Sequence, residues 1–168
     1  MIRRPALLAL LPLAALLGSC GLKPLYAGGS DGSVARGLSA IEVPVIPGRA
    51  GWLMRHELQD RLGAIGPDTG AARYRLDVRL DDRLEGLGVL GDDTIGRERR
   101  TLRARYQLVD LQSGEILLDA TAGSDAGIDV VSSEYATIAA EQTALENLSR
   151  EVADRIVTQL ALTLREAS

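Results

Sequence analysis

The sequence predicts an α+β domain in which two helices pack on one face of a four-stranded, mixed and mainly antiparallel sheet. Residues 72–90 and 97–108 alternate between apolar and charged side chains, and this two-residue period is typical of strands with one buried face. Residues 52–65 and 134–165 instead repeat their apolar side chains at three- and four-residue spacing, which indicates amphipathic helices. With no Phe and one Trp among 168 residues, the predicted core consists of Leu, Val, Ile and Ala.

The N-terminus has the anatomy of a secretory signal. A short basic head with Arg3 and Arg4 precedes an apolar run over residues 6–17. This run is too short to cross a bilayer, which needs about 20 apolar residues. A twin-arginine export signal is a weaker interpretation, because the polar and apolar pattern that should flank the two arginines is missing. We therefore predict a signal peptide over residues 1–19.

The sole cysteine of the chain, Cys20, follows Leu17, Gly18 and Ser19 directly. This arrangement resembles the lipobox of bacterial lipoproteins, which implies cleavage before Cys20 and acylation of its thiol and new amino terminus. The alternative is an ordinary secretory signal with a cysteine near its cleavage site by chance. Burial of acyl chains contributes about 0.8 kcal/mol per methylene, so an anchor with more than one chain would be effectively permanent.

The segment after Cys20 predicts the membrane to which the protein is sorted and a tether between the anchor and the domain. Gly21, where an Asp would favour retention in the inner membrane, implies by the same resemblance a lipid-anchored protein of the outer membrane that faces the periplasm. Residues 27–37 are rich in Gly and Ser, which indicates a flexible tether. We therefore predict a lipidated N-terminus and tether over residues 20–38 and a single domain over residues 39–168.

The domain begins with a predicted short strand and a helix. Residues 39–46 alternate around Ile41, Val43 and Val45, and their two prolines favour an edge position or a strand end. The helix over residues 52–65 follows.

Three further strands form the predicted antiparallel meander. Turns at residues 91–94 and 110–114 separate the two alternating runs and a third strand that begins at Ile116. Residues 123–129 are rich in Gly, Ser and Asp and are predicted to form a loop.

The C-terminal helix, residues 134–165, is the longest predicted element, with Ser132 and Ser133 as candidate caps. At 1.5 Å per residue it spans roughly 48 Å, more than a four-stranded sheet needs. One end is therefore expected to overhang the sheet and to be available to a partner. Its apolar stripe, predicted as core, contains Tyr135, Ile138, Leu145, Leu148, Val152, Ile156, Leu160 and Leu164.

The sequence lacks most of the residue patterns that catalytic, metal-binding and nucleotide-binding sites require. One His and one Cys cannot form a metal cluster, and His56 lies on the outer face of its predicted helix without a nucleophile nearby. Gly86, Gly88 and Gly91 match G-x-G-x-x-G, but the helix that this motif requires does not follow, so we interpret them as a hairpin end. We predict no enzyme activity, no metal and no cofactor, although scattered carboxylates leave open a periplasmic enzyme.

One face of the predicted sheet is rich in arginine, and two interpretations remain open. An arginine cluster binds phosphate and carboxylate groups in bidentate geometry, whereas arginines paired with acids across strands, such as Asp77 and Asp81, are common on solvated sheets. The net charge of −4 argues against nucleic acid as a partner. The face contains Arg73, Arg75, Arg79, Arg97, Arg99, Arg103 and Arg105.

From Cys20 onward the chain resembles the LptE family of lipopolysaccharide-assembly lipoproteins, in its alphaproteobacterial form. The resemblance is carried by residues 20–26, CGLKPLY, which look like that family's C-G-F-x-P-L-Y start with Leu22 in place of Phe. Residues 106–111, YQLVDL, and 133–136, SEYA, support it through the order of elements.

The resemblance implies a subunit that plugs the LptD β-barrel, helps it to assemble and binds lipopolysaccharide at the lipid A phosphates. The candidate contacts, proposed from the face argument, are Arg79, Arg97, Arg99, Arg103 and Arg105. An adaptor lipoprotein of another envelope complex is the alternative.

Overall fold

Three helices and a four-stranded sheet make up the computed structural model, which describes residues 32–65, 72–89 and 95–166. In chain order the elements are α1 (Ser33–Ser39), β1 (Ile41–Glu42), α2 (Gly48–Ile65), β2 (Tyr74–Val89), β3 (Ile95–Asp110), β4 (Ile116–Asp129) and α3 (Glu134–Glu166). The strand order is β1-β2-β3-β4. Strand β1 runs parallel to β2, and the other neighbours are antiparallel. The predicted α+β class and mixed, mainly antiparallel sheet are confirmed.

The sheet separates its side chains by parity, as the alternation predicted. Leu76 pairs with Leu108, and Leu108 pairs with Leu118, so apolar residues of even number meet across three strands. Leu76, Leu102 and Leu108 are fully buried, whereas the charged residues of odd number lie on the opposite, exposed face. The buried face supplies the sheet half of the core.

Helix α3 covers the buried face of β3 and β4 and carries the other half of the core. Val152, Ile156 and Leu160 are fully buried. Helix α2 contacts α3 more extensively than β2, and Arg61 links the two helices through a 2.5 Å contact between its Nε and Asp154 Oδ1. The two-helix layer is therefore a pair in which α3 lies on the sheet and α2 lies mainly against α3.

The N-terminal third of α3 extends past the core, as the length of the helix predicted. Tyr135 is 87% exposed and Ile138 is 42% exposed, so the prediction that both belong to the core is wrong. Ala144 is the first buried residue of α3, and the rest of the predicted stripe is buried from Leu145 onward. No helix in the part of the chain that the structure describes is long and apolar enough to span a membrane.

Helix α1 occupies residues that were predicted to belong to the tether, and that prediction is wrong from residue 33 onward. Val34, Ala35 and Leu38 are buried because they lie at helical spacing and pack towards α3. The approach is close at Gly37, where a Cβ would lie 3.1 Å from Leu164 Cδ1. The tether residues 20–31 lie outside the described residues.

Three other element boundaries also differ from the prediction. The first strand covers only Ile41–Glu42 and lies at the sheet edge, since the chain leaves β2 before Pro44, which lacks an N–H. Helix α2 begins at Gly48 instead of residue 52. Strand β4 continues to Asp129, so the loop predicted at residues 123–129 is wrong; pairing with β3 overrides the low strand propensity of its Gly and Asp residues.

The turn between β3 and β4 matches its prediction. Asp110 Oδ1 accepts the backbone N–H groups of Gln112 and Ser113 at 2.8 and 3.2 Å, and Gly114 takes a φ of 74°, which glycine adopts without strain. The turn predicted at residues 91–94 lies outside the described residues.

Two glycines of α2 provide a matched stability test. A Cβ at Gly51 would lie 2.4 Å from the backbone oxygen of Ile46, whereas a Cβ at Gly63 would meet nothing within 4 Å. We expect Gly51→Ala to lower the free energy of unfolding by about 1–3 kcal/mol through overpacking. Gly63→Ala is expected to raise it by about 0.5–1 kcal/mol, because alanine favours the helix. Urea denaturation followed by circular dichroism measures both, and equal effects would contradict the close approach at Gly51.

Candidate functional site

The five candidate arginines lie on the exposed face of the sheet, opposite the helices. Arg79 is on β2 and the other four, Arg97, Arg99, Arg103 and Arg105, are on β3. Arg79 pairs directly with Arg105, and Arg103 pairs with Asp81. The structure therefore brings the predicted residues together on one surface.

Three of the five arginines have acidic partners on β4. Arg105 forms two hydrogen bonds with Asp119, from Nε at 3.2 Å and from Nη2 at 3.0 Å. Arg97 Nε lies 3.1 Å from Asp129 Oδ1. The contact between Arg99 Nε and Asp125 Oδ2 is longer, at 3.9 Å. These three residues therefore form cross-strand ion pairs, and any ligand would have to compete with a carboxylate.

Arg79 and Arg103 have no hydrogen-bond or carboxylate partner among the described residues. Asp81, the acid across from Arg103, is engaged by Arg83, whose Nε donates to Asp81 Oδ1 at 3.0 Å. The two unpaired arginines lie in adjacent cross-strand rows, where side chains on diagonal positions remain within reach of one another. Together with Arg105 they form a concentration of positive charge, which we call the arginine patch: Arg79, Arg103 and Arg105.

A glycine on β4 gives the arginine patch its shape. Gly123 pairs with Arg103, and a Cβ at Gly123 would lie 3.2 Å from Arg103 Cγ. Arg103 can therefore lie across the neighbouring strand because Gly123 has no side chain. Sequence reasoning missed this residue since it assigned Gly123 to a loop.

Two shallow cavities flank the arginine patch. One, of about 520 Å³, lies between residues 44–46 and the strands, with Arg79, Arg105 and Gln107 in its lining. The other, of about 200 Å³, includes Arg99 and Arg103. The first cavity exists because the chain turns away from β2 after β1, and the prolines of residues 39–47 were the signal for that departure. Asp77 lines the first cavity, and Asp81 and Glu85 line the second, so an anionic head group in either cavity would meet carboxylates as well as guanidinium groups.

The ion pair at Asp119 changes the acid–base behaviour of this surface. Hydrogen bonds from Arg105 and from Gln107, whose Nε2 lies 2.8 Å from Asp119 Oδ2, hold the pKa of the Asp119 carboxyl below its ordinary value. The same carboxylate raises the pKa of the Arg105 guanidinium. Because the pKa of Asp119 is depressed in the folded state, its contribution to stability is present above the unfolded-state pKa and is lost as pH falls through the folded-state pKa.

We expect Arg105→Ala to raise the pKa of the Asp119 carboxyl towards its ordinary value. The substitution removes the hydrogen bonds from Arg105, which lower this pKa the most, and leaves the one from Gln107. A pH titration of the carboxyl carbon by NMR measures the change. Arg83→Ala serves as the control, since Arg83 pairs with Asp81, and should leave the titration of Asp119 unchanged. An unaltered titration in Arg105→Ala would show that the pair does not persist in solution.

The other residues considered for catalysis, nucleotide binding or metal binding do not belong to the arginine patch. His56 is exposed and stacks on Trp52, with ring centroids 5.7 Å apart. Gly86 and Gly88 lie in β2, which pairs antiparallel with β3, in agreement with the hairpin interpretation. Within residues 32–65, 72–89 and 95–166, no group of acids, His and Cys is arranged to hold a metal ion.

Several solved structures of bacterial lipoproteins have a similar helix-on-sheet fold. A putative lipoprotein from Caulobacter crescentus shares 28% identity at a TM-score of 0.67, with 82% of this chain and 98% of that chain covered. A minor lipoprotein from Acinetobacter baumannii shares 18% identity at a TM-score of 0.56, with 73% and 88% covered. The rare lipoprotein B from Shewanella oneidensis shares 14% at 0.54, with 76% and 96% covered. The last two likenesses show the fold alone.

The family itself follows from the sequence. The family model LptE, lipopolysaccharide-assembly, matches residues 38–160, which is most of the chain. No curated protein matches significantly. The chain belongs to the LptE family of lipopolysaccharide-assembly lipoproteins, as the motifs predicted.

Proposed function

We propose that this protein is an outer-membrane subunit of the lipopolysaccharide transport machine. In this role it plugs an LptD-type β-barrel, helps that barrel to assemble and binds lipopolysaccharide for insertion into the outer leaflet. The observation that carries the proposal is the match to the lipopolysaccharide-assembly family over residues 38–160. We propose no catalytic role.

The arginine patch is the proposed contact for the lipid A phosphates. Arg79 and Arg103 have no carboxylate partner in the part of the chain that the structure describes, so they can bind a phosphate without first breaking an ion pair. Arg105, Arg97 and Arg99 would bind by exchanging Asp119, Asp129 and Asp125 for phosphate oxygens. Guanidinium groups favour this exchange because they match the geometry of phosphate as well as that of carboxylate.

Lipidation of Cys20 would hold the domain at the membrane. Gly32, the first described residue, lies twelve residue steps after Cys20, and an extended chain spans at most about 3.3–3.6 Å per residue. The domain would therefore stay within roughly 40 Å of its lipid. This distance keeps the subunit beside its barrel.

Affinity purification from detergent-solubilised outer membrane tests the proposal. We expect the full chain to co-purify with a large β-barrel protein and with lipopolysaccharide. Cys20→Ala removes the lipidation site and is expected to be lost from the outer-membrane fraction, which tests the anchor independently of the partners. Recovery of a different envelope complex instead would favour the alternative role as an adaptor lipoprotein.

A further inference from the structure

The outer edge of β4 is open and lies next to a groove. β4 is the last strand of the sheet, with β3 as its neighbour on one side and no strand on the other in the described chain. Strand edges with unpaired N–H and C=O groups are templates for the addition of another strand. The edge is not obstructed by proline, because Ile116–Asp129 contains none.

Two hydrogen bonds identify which residues of β4 face outward. The N–H of Val130 donates to the carbonyl of Gly96 at 3.2 Å, so even-numbered backbone groups at this end point towards β3. The carbonyl of Gly123 accepts a hydrogen bond from Arg155 Nη1 of α3, so odd-numbered groups point away. Because antiparallel strands alternate these directions, Asp125, Gly127 and Asp129 present their N–H and C=O groups on the open edge.

The groove lies between this edge and α3. Residues 125–129 form one wall and residues 140–151 the other, around a volume of about 560 Å³. Its apolar lining combines two large side chains that are already buried, Ile128 and Leu148, with three alanines, Ala126, Ala140 and Ala144. Small side chains at Ala126, Ala140 and Ala144 leave space for side chains that another segment would bring.

The outer face of β4 carries only negative charge. Asp119, Asp125 and Asp129 lie on it, and the strand contains no Lys or Arg. The side chains of Asp125 and Asp129 are 65% and 75% exposed, so each can accept a further cation beside its β3 arginine. A strand added at this edge would place alternate side chains directly across from these acids.

We propose that the open edge of β4 binds an extended polypeptide segment of a partner protein as a fifth strand. Its side chains on the helix side would be apolar and enter the groove, and those on the outer side would be Lys or Arg and face Asp125 and Asp129. Unpaired N–H and C=O groups favour a polypeptide over an acyl chain, because hydrocarbon cannot satisfy them. This site is separate from the arginine patch and does not depend on lipopolysaccharide binding.

A short blocked peptide of alternating valine and lysine is the probe, and amide hydrogen exchange of the full chain by NMR is the measurement. We expect the amides of Asp125, Gly127 and Asp129 to become protected on binding. Gly127→Pro removes one outward N–H and should weaken binding by about two- to tenfold. A peptide N-methylated at alternate residues should not protect these amides.

Ala140→Leu supplies a second variant, because its larger side chain would fill the groove. We expect it to weaken peptide binding, whereas Ala139→Leu, an exposed position outside the groove, should leave binding unchanged. The proposal is overturned if the N-methylated peptide binds equally well, or if a peptide with four valines followed by four lysines binds equally well. The proposal is also overturned if the peptide never protects these amides and a single-chain lipid displaces it. That result would assign the groove to an acyl chain.

Discussion

Replacing Arg79 and Arg103 together with glutamate is expected to weaken the binding of purified lipopolysaccharide by about a hundredfold or more. Hydrogen bonds to charged groups contribute about 1.5–3 kcal/mol each, and the new carboxylates would repel the lipid A phosphates. Both side chains lack a carboxylate partner among the described residues, so their charge is available to a ligand. Isothermal titration calorimetry at two salt concentrations measures the loss, and the affinity of the unaltered chain should fall as salt screens these charges.

Arg97→Glu together with Arg99→Glu is the matched control on the same strand face. These arginines face Asp129 and Asp125, so phosphate binding there must first displace an acid, and we expect a smaller loss of affinity. An equal loss in both double variants would show that the ligand covers the whole face. Unchanged binding in Arg79→Glu with Arg103→Glu would exclude the arginine patch as the site.

The binding experiment is interpretable only if the double variant folds. Arg79 and Arg103 are exposed and make no described ion pair, and substitutions at such surface positions usually change stability by less than about 0.5 kcal/mol. Thermal unfolding should therefore be nearly unchanged. A large loss of stability would instead indicate that these side chains support the sheet.

The sheet could be predicted because its period is simple and its two faces differ in chemistry. Parity assigned Tyr106 and Leu108 to the core and Arg103 and Arg105 to the surface, and the structure agrees. The even number of Arg100 also excluded this residue from the candidate arginines, which all have odd numbers. Arg100 lies on the helix side, where it donates to Asp82 at 2.9 and 2.7 Å and to the Glu141 carbonyl at 3.0 Å.

The composition of two segments concealed their structure. Residues 33–39 contain only one helical repeat of apolar side chains within a Gly- and Ser-rich stretch, and packing against α3 stabilises α1. The second half of β4 contains Gly123, Gly127 and Asp125, which usually indicate a loop. Its strand conformation comes from the ladder with residues 97–103 of β3, a non-local contact that no window of the sequence contains.

The sequence predicted which face of the sheet carries the arginines, but not which of these arginines lack a carboxylate partner. Which arginines are free depends on the register between strands. Arg105 is occupied because β3 and β4 align Gln107 with Asp119, and Arg103 is free because Arg83 holds Asp81. One residue of slip would exchange the two faces of a strand, so the pattern of free charge required the paired structure.

Two isoleucines of α3 are expected to differ widely in their contribution to stability. Both belong to the apolar stripe of the sequence, but Ile156 is 0% exposed and Ile138 is 42% exposed. Ile156→Ala should lower the free energy of unfolding by about 2–5 kcal/mol, because it removes buried methyl groups and leaves a cavity against the sheet. Ile138→Ala should change it by less than about 0.5 kcal/mol, since the lost contacts are few and alanine is the better helix former.

Urea denaturation followed by circular dichroism compares the two isoleucine variants at one protein concentration. The measurement should be repeated at a tenfold higher concentration, because a self-associated chain would gain stability with concentration. A cost for Ile138→Ala close to that for Ile156→Ala would contradict the exposed position of the first turns of α3. If that cost also grew with concentration, a second copy would be covering Ile138 and Tyr135. If the cost is confined to Ile156→Ala, no second copy covers the first turns of α3. Their exposed side chains, Tyr135 and Ile138, are then available to a partner.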